Sequence, residues 1–156
     1  MSTLKVGSIF PVGGEVGDGG GIIQVKINQK TAKFATTSTS YTDVTGFDCS
    51  ITPTSASNKI LVITSASFGA GQDGQNNFAR LLRGSTNILT NDLSIRMPNA
   101  YINNTFVHVI LDTPNTTSSV NYKYQVKAES NEVFLNRGGS NVTRGQSTIM
   151  LLEVSS

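Results

Sequence analysis

The chain has 156 residues, 12 Lys and Arg against 10 Asp and Glu, and a formal net charge of +2. A charge this small, with basic residues scattered singly, does not favour a nucleic-acid-binding protein. Serine, threonine and asparagine make up about a third of the chain, while charged residues reach only 14%, well below the usual quarter. We therefore expect one domain with a neutral surface rich in hydroxyl and amide groups.

Residues 1–21 differ in composition from the rest of the chain, and they contain neither a signal-peptide core nor a membrane-spanning run. LKVGSIFPV is short and apolar, and GGEVGDGGG is a glycine-rich tether without regular structure of its own. Two interpretations are open: a free tail, or an arm that docks on another protein. An arm would anchor through Leu4, Val6, Ile9 and Phe10. The predicted organisation is thus an arm and tether over residues 1–21 and a β-domain over residues 22–156.

From residue 22 onward the chain is a series of short strand patterns. IIQVKINQ (22–29) places Ile23, Val25 and Ile27 on one face. The stretch from 40 to 68 predicts two strands joined by a turn-rich loop, with Gly46 marking a bulge in the first strand. After a mobile-looking loop over residues 68–77, FARLLRGSTNILTND predicts a strand, a turn and a second strand.

The second half of the chain continues the strand series. TFVHVILD is strongly apolar, and VNYKYQVKAE is the cleanest amphipathic strand, with Val120, Tyr122, Tyr124 and Val126 facing inward. STIMLLEV is the last predicted strand. About eight to ten strands, spaced roughly 8 to 15 residues apart with no helical period, predict an all-β protein with an antiparallel, jelly-roll-like β-sandwich.

Two predicted strands, TFVHVILD and TIMLLEV, are apolar on both faces. One face can lie on the sandwich core, and the other needs cover, which another copy of the chain would provide. We therefore expect a cyclic homo-oligomer, and specifically a trimer, the commonest form among compact jelly rolls that bury such a face. The expected subunit contacts are Phe106, His108, Ile110, Met150 and Leu152.

No catalytic or metal site is predicted. The single histidine, His108, is interpreted as a hydrogen-bonded interior or subunit-contact residue. The single cysteine, Cys49, is interpreted as a small buried hydrophobe, with an intermolecular disulfide or a reactive thiol as alternatives. Most carboxylates fall at predicted strand ends or in loops, where solvated or turn-capping roles are the default. No G-x-S-x-G elbow, phosphate loop or EF-hand spacing occurs. We expect a non-enzymatic protein without a cofactor.

Three loops carry the groups that recognise sugars: FGAGQDGQNN, MPNAYINN and NRGGSNVTRG. Their amides and arginines can bond to sugar hydroxyls, and a tyrosine can stack on a pyranose face. The alternative is that they are only soluble turns. The predicted ligand contacts are Gln72, Asp73, Gln75, Asn76, Asn99, Tyr101, Asn141 and Arg144.

A chain of short motifs resembles a known family. GIIQVKINQKTAKFATTSTSYTDVTGFDCSITPTSASNKILV, ARLLRGSTNI, FVHVILDTPNTTSSVNYKYQVKA and STIMLLEV resemble the globular domain of tail-fibre and related virion proteins of tailed bacteriophages, notably those of cyanobacteria and marine bacteria. STLKVGSI is similar to their N-terminal attachment segment. The resemblance covers about residues 20–156 and implies a trimeric β-sandwich or jelly roll that acts in virion attachment. Typical fibres carry a long shaft, whereas here only about a dozen residues separate segment and domain.

Three hypotheses follow. The leading one is a homotrimeric protein of the virion exterior, assembled in the host cytoplasm. Its arm joins the tail or baseplate, and its distal loops contact a host-surface glycan. The alternative is a capsid decoration protein whose arm clamps capsid subunits, and a glycan-hydrolysing fibre head comes third. Expected partners are other copies, virion proteins and a glycan, without nucleic acid or membrane insertion.

Overall fold

The computed structural model describes residues 21–155, and the fold over this range is all-β, as predicted. The predicted arm residues Leu4, Val6, Ile9 and Phe10 lie outside the described residues. The strands are β1 (Ile22–Lys30), β2 (Phe34–Thr36), β3 (Thr42–Ile51), β4 (Lys59–Ala70), β5 (Asn76–Arg83), β6 (Thr86–Asn87), β7 (Leu93–Arg96), β8 (Asn103–Asp112), β9 (Val120–Lys127), β10 (Val133–Leu135) and β11 (Ser147–Val154). The helical content of the described range is one 3₁₀ turn, Gly139–Asn141.

The strands form two antiparallel sheets. Sheet A has the order β1–β11–β4–β8, and the short strands β10 and β2 extend it beside the far end of β4. Sheet B has the order β3–β9–β5–β7, with β6 also pairing with β5. If β2, β6 and β10 are set aside, this is the strand order of a jelly roll, which confirms the predicted sandwich.

The core lies between the two sheets and consists of the side chains that point inward from each strand. Tyr122, Tyr124 and Val126 of β9 are buried, as their alternation predicts. The ring of Tyr124 stacks on Phe47 at 5.3 Å and meets the edge of Phe68 at 5.5 Å. Cys49 is buried in the same layer, and this burial raises the pKa of its thiol.

A wide bulge interrupts β3 at the position that Gly46 predicts. Asp43 pairs with Gln125 and Asp48 with Lys123, so five steps along β3 face two steps along β9. Gly46 adopts a φ of +73°, a left-handed conformation that costs glycine less than other residues. Beside the bulge, the side-chain amide of Asn28 on β1 donates a hydrogen bond to the backbone oxygen of Asp48 at 2.6 Å.

Candidate functional site

The three loops predicted to bind a ligand lie at one end of the sandwich. The strand registers bring together the segments 71–75, 97–102, 128–132 and 136–146 there, and we call this the loop end. Gly21 and the segments 52–58, 84–85 and 113–119 lie at the opposite end, which we call the Gly21 end. The chain therefore enters the sandwich at the end opposite the predicted ligand loops.

Backbone hydrogen bonds hold the loops of the loop end to one another. Gly71 donates to the Glu132 oxygen, and Gly74 donates to the Met97 oxygen, both at 2.8 Å. The backbone nitrogen of Tyr101 donates to the Ala70 oxygen at 2.8 Å. Because these bonds join separate loops, the loop end is one continuous surface and not a set of independent turns.

An exposed aromatic group lies on this surface. The Tyr101 ring is 45% exposed and stacks on the buried Phe134 ring, with centroids 6.3 Å apart and planes 12° apart. The Arg137 guanidinium lies 5.3 Å from the Phe134 centroid and forms an ion pair with Glu132. Tyr101 has a φ of 62°, an uncommon backbone conformation for a bulky residue. The ring is therefore presented to solvent on a fixed support.

The other predicted ligand residues differ in accessibility. Gln75 is 5% exposed, so it cannot contact a ligand as predicted: its side chain points inward against the 128–132 loop. Asn76 is half-buried at the start of β5. The rest are exposed: Gln72, Asp73, Asn99, Asn141 and Arg144. Of these, Asn141 accepts hydrogen bonds from the Lys33 ammonium.

The predicted subunit contacts divide between the two faces of sheet A. Phe106 and Ile110 pack against the core, and His108 Nδ1 lies 3.1 Å from the Tyr124 hydroxyl. These three side chains thus face inward, and burial lowers the pKa of His108. The face predicted for β8 is therefore wrong, because both of its faces are apolar and alternation cannot choose between them. Met150 and Leu152 of β11 lie on the outer face, half-buried.

The residues that do point outward from β8 are Val107, Val109 and Leu111. They are 62%, 64% and 55% exposed. The sequence contains the signal for them, since they alternate with the residues that were predicted. The sequence does not show which of the two alternating sets of β8 side chains faces the core.

A buried carboxylate at the Gly21 end was missed by the sequence reasoning. The default for carboxylates is a solvated or turn-capping role, but Glu153 has no exposed surface. Its oxygens accept hydrogen bonds from Asn58 and Gln24 at 2.6 Å, and from the Thr54 nitrogen and hydroxyl at 2.7 and 2.8 Å. Burial alone would raise the pKa of this carboxyl, but these hydrogen bonds outweigh it and hold the pKa at about 2. Glu153 thus ties β11 to β1 and to the 52–58 loop.

An open polar depression of about 340 Å³ lies at the β3 bulge. Its charged side chains are already paired: Asp43 accepts from Lys123 at 2.8 Å, and Asp48 accepts from Asn121 at 2.8 Å. The hydrogen bond from Lys123 lowers the pKa of Asp43. These groups bond to each other, so the depression offers little to a ligand.

Within residues 21–155, no group of three or more His, Cys, Asp or Glu side chains is placed to hold a metal ion. The same range contains no helix long and apolar enough to cross a membrane.

Comparison with known proteins gives only distant structural neighbours. No family model matches the chain, and no curated protein matches it. The chain is similar to the VP2 subviral particle of infectious bursal disease virus, with a TM-score of 0.43, 10% identity and coverage of 86% of this chain and 39% of that one. The Gt strain of that virus gives a TM-score of 0.46, 12% identity and coverage of 86% and 39%.

Particles with T=1 symmetry derived from the same virus give a TM-score of 0.44, 9% identity and coverage of 86% and 37%. The chain thus spans less than two-fifths of the length of these proteins. Because the TM-scores are below 0.5 and the identities are near a tenth, these likenesses carry no information about what this chain binds or where it acts.

Proposed function

We propose that this chain is a structural protein of a tailed-phage virion: a short, homotrimeric fibre or baseplate-attached domain without enzymatic activity. The family proposal rests on the sequence resemblance over residues 20–156. The observation that supports an attachment role is that the two ends of the domain differ. The chain enters at the Gly21 end, and the loops with sugar-binding chemistry lie at the loop end.

The N-terminal segment supplies the anchor in this proposal. Residues 4–12 bind another virion protein, and the glycine-rich tether joins them to β1. The backbone of Ser155 donates to the Gly21 oxygen at 3.1 Å, which fixes the point where the tether meets the sandwich. A domain anchored there directs its loop end away from the particle.

The loop end then supplies the contact with the host. The exposed ring of Tyr101 can stack on a sugar ring, and the surrounding amides of Gln72 and Asn99 can bond to its hydroxyls. Aromatic stacking with nearby polar groups is a general mode of saccharide recognition, and it requires no catalytic acid or base. We therefore assign binding, and not hydrolysis, to this surface.

Deletion of residues 1–12 tests the anchor. We expect the shortened protein to fold and self-associate but to be absent from purified virions, whereas retained incorporation would contradict the proposal. Imaging of virions that carry the labelled full-length protein gives its location. Density on the capsid and none at the tail would assign the protein to capsid decoration instead.

Substitution of Tyr101 tests the loop end. Virions with Tyr101→Ala should incorporate the protein normally but adsorb to host cells at least ~5-fold more slowly, because a stacking contact contributes about 1 kcal/mol or more. Tyr101→Phe is the matched control, since it keeps the ring. Equal adsorption of wild type and Tyr101→Ala would refute this role for the loop end.

A further inference from the structure

We infer that the outer face of sheet A is the contact surface between copies of this chain. This face consists of outward side chains on β1, β11, β4 and β8: Val25, Ile27, Leu61, Ile63, Val107, Val109, Leu111, Met150 and Leu152. The inference deepens the self-association in the proposed function by naming the surface that is used, and it does not depend on a role in a virion; a sedimenting mass of two copies would support it and contradict the trimer.

The orientation of β1 is the first observation. Its apolar residues Val25 and Ile27 point outward and are 52% and 51% exposed. Its polar residues point toward the other sheet, where Gln24 bonds to Glu153 and Asn28 bonds to the β3 backbone. A strand at the edge of a water-facing sheet would carry the opposite pattern. The inversion indicates that the outer side of β1 is not exposed to water in the working protein.

The apolar surface is continuous across all four strands. Cross-strand pairing forms two complete apolar rows: Val25, Leu152, Leu61 and Leu111, then Ile27, Met150, Ile63 and Val109. Nearer the loop end the next row becomes polar on three of its strands, with Gln29, Thr148 and Ser65. The apolar surface thus has a defined border, as an interface patch does.

The lack of charge on this surface restricts what can cover it. Lys59, which pairs with Val154 at the border nearer the Gly21 end, is the one charged residue among the outward side chains of β1, β11, β4 and β8. A partner with an acidic or basic surface would lose hydration there without gaining a counter-charge. The partner must therefore present an apolar surface of its own, and every other copy of this chain presents one.

The size of the face separates a second copy from the chain's own N-terminal segment. The two complete rows run across four strands about 4.8 Å apart, so the apolar surface is roughly 19 Å wide. The same face of another copy has the same width and can cover all four strands. One extended segment such as residues 4–12 covers about a quarter of the width. A second copy therefore fits the face, and a single segment does not.

Sedimentation of the full-length protein over about 1–100 µM tests the inference. The wild type should sediment at a mass at least twice the 16.6 kDa of one chain. Val109→Lys places a charge at the centre of the face and should raise the dissociation constant at least ~100-fold. Since Val109 is 64% exposed in the single chain, the variant should keep its fold, which circular dichroism checks.

Ser94→Lys is the matched control, because Ser94 is exposed on β7 of the other sheet. It adds the same side chain to a strand but should leave the sedimenting mass unchanged. A wild type that remains at 16.6 kDa at the highest concentration would overturn the inference, whatever else covers the face. Folded Val109→Lys protein that associates as the wild type does would overturn it too.

Discussion

The Glu153 side chain joins three parts of the Gly21 end, and its removal should open that end. We predict that Glu153→Ala lowers the free energy of unfolding by about 3–5 kcal/mol, because it leaves several buried or part-buried donors without an acceptor. The structure supports the upper part of this range, because the carboxylate accepts four hydrogen bonds from buried or part-buried donors. Each such bond to a charged group contributes about 1.5–3 kcal/mol, although their sum is not additive.

Thermal and denaturant unfolding measure this loss. For a domain of this size, about 3–5 kcal/mol corresponds to a fall in Tm on the order of 10 °C. Glu129→Gln is the control, because Glu129 is exposed and accepts one hydrogen bond, from the backbone of Asn76. It should change the free energy of unfolding by less than about 0.5 kcal/mol.

The pH dependence of stability gives the same prediction a second readout. The pKa of Glu153 is about 2 in the folded chain, below its ordinary value of 4.5. The unfolded chain therefore binds the proton first as pH falls, so the stabilisation is complete above about pH 4.5 and lost toward pH 2. Glu153→Gln should lack this component of the acid destabilisation. Parallel stability curves for wild type and Glu153→Gln between these pH values would refute the reasoning.

Two further substitutions probe the core by thermal melting. In Gly69→Ala the new Cβ would overlap the Phe134 ring, so we expect a loss of about 2 kcal/mol. Gly21→Ala, which meets nothing within 4 Å, should change little, and equal melting of the two would contradict the clash. Tyr124→Phe removes a buried hydroxyl 2.8 Å from Thr64 and should cost about 1–2 kcal/mol, a value that an unchanged Tm would exclude.

Strands with one polar and one apolar face could be predicted from the sequence. In β9 the alternation of tyrosine and valine with lysine and glutamine fixes both the strand and its inward face, and Tyr122 and Tyr124 are buried as expected. The Gly46 bulge was also predictable, because glycine interrupts an otherwise regular alternation. In both cases the signal is local, lying within a few residues of the feature that it specifies.

The orientation of β1 and β8 could not be predicted in the same way. Period-two alternation shows which residues share a face, but it does not show which face meets the core. In β8 both faces are apolar, so Val109 and Ile110 are equivalent in the sequence. In β1 the polar face is the one that packs toward the opposite sheet, because Gln24 satisfies a buried carboxylate there.

The surroundings of Glu153 depend on residues far away in the chain. Its hydrogen-bond donors Gln24 and Asn58 are 129 and 95 residues distant. Its position in phase with Ile149 and Leu151 was a usable signal of burial, since these three residues share one face of β11. The sequence predicts that the loop end carries residue types suited to sugar binding. It does not predict that Tyr101 stacks on Phe134, because that contact depends on the register of the strands.

The pairing of β1 with β11 sets the order in which the domain can be completed during synthesis. Ile22 pairs with Val154, so β1, the first described strand to be synthesised, cannot pair with β11 until that last strand has been made. At about 5–20 residues per second this delay is roughly 10 s. Throughout that time an apolar strand and one edge of β4 have no partner, and such edges promote aggregation. Chains that terminate before residue 147 should therefore depend on chaperones far more than the finished protein does.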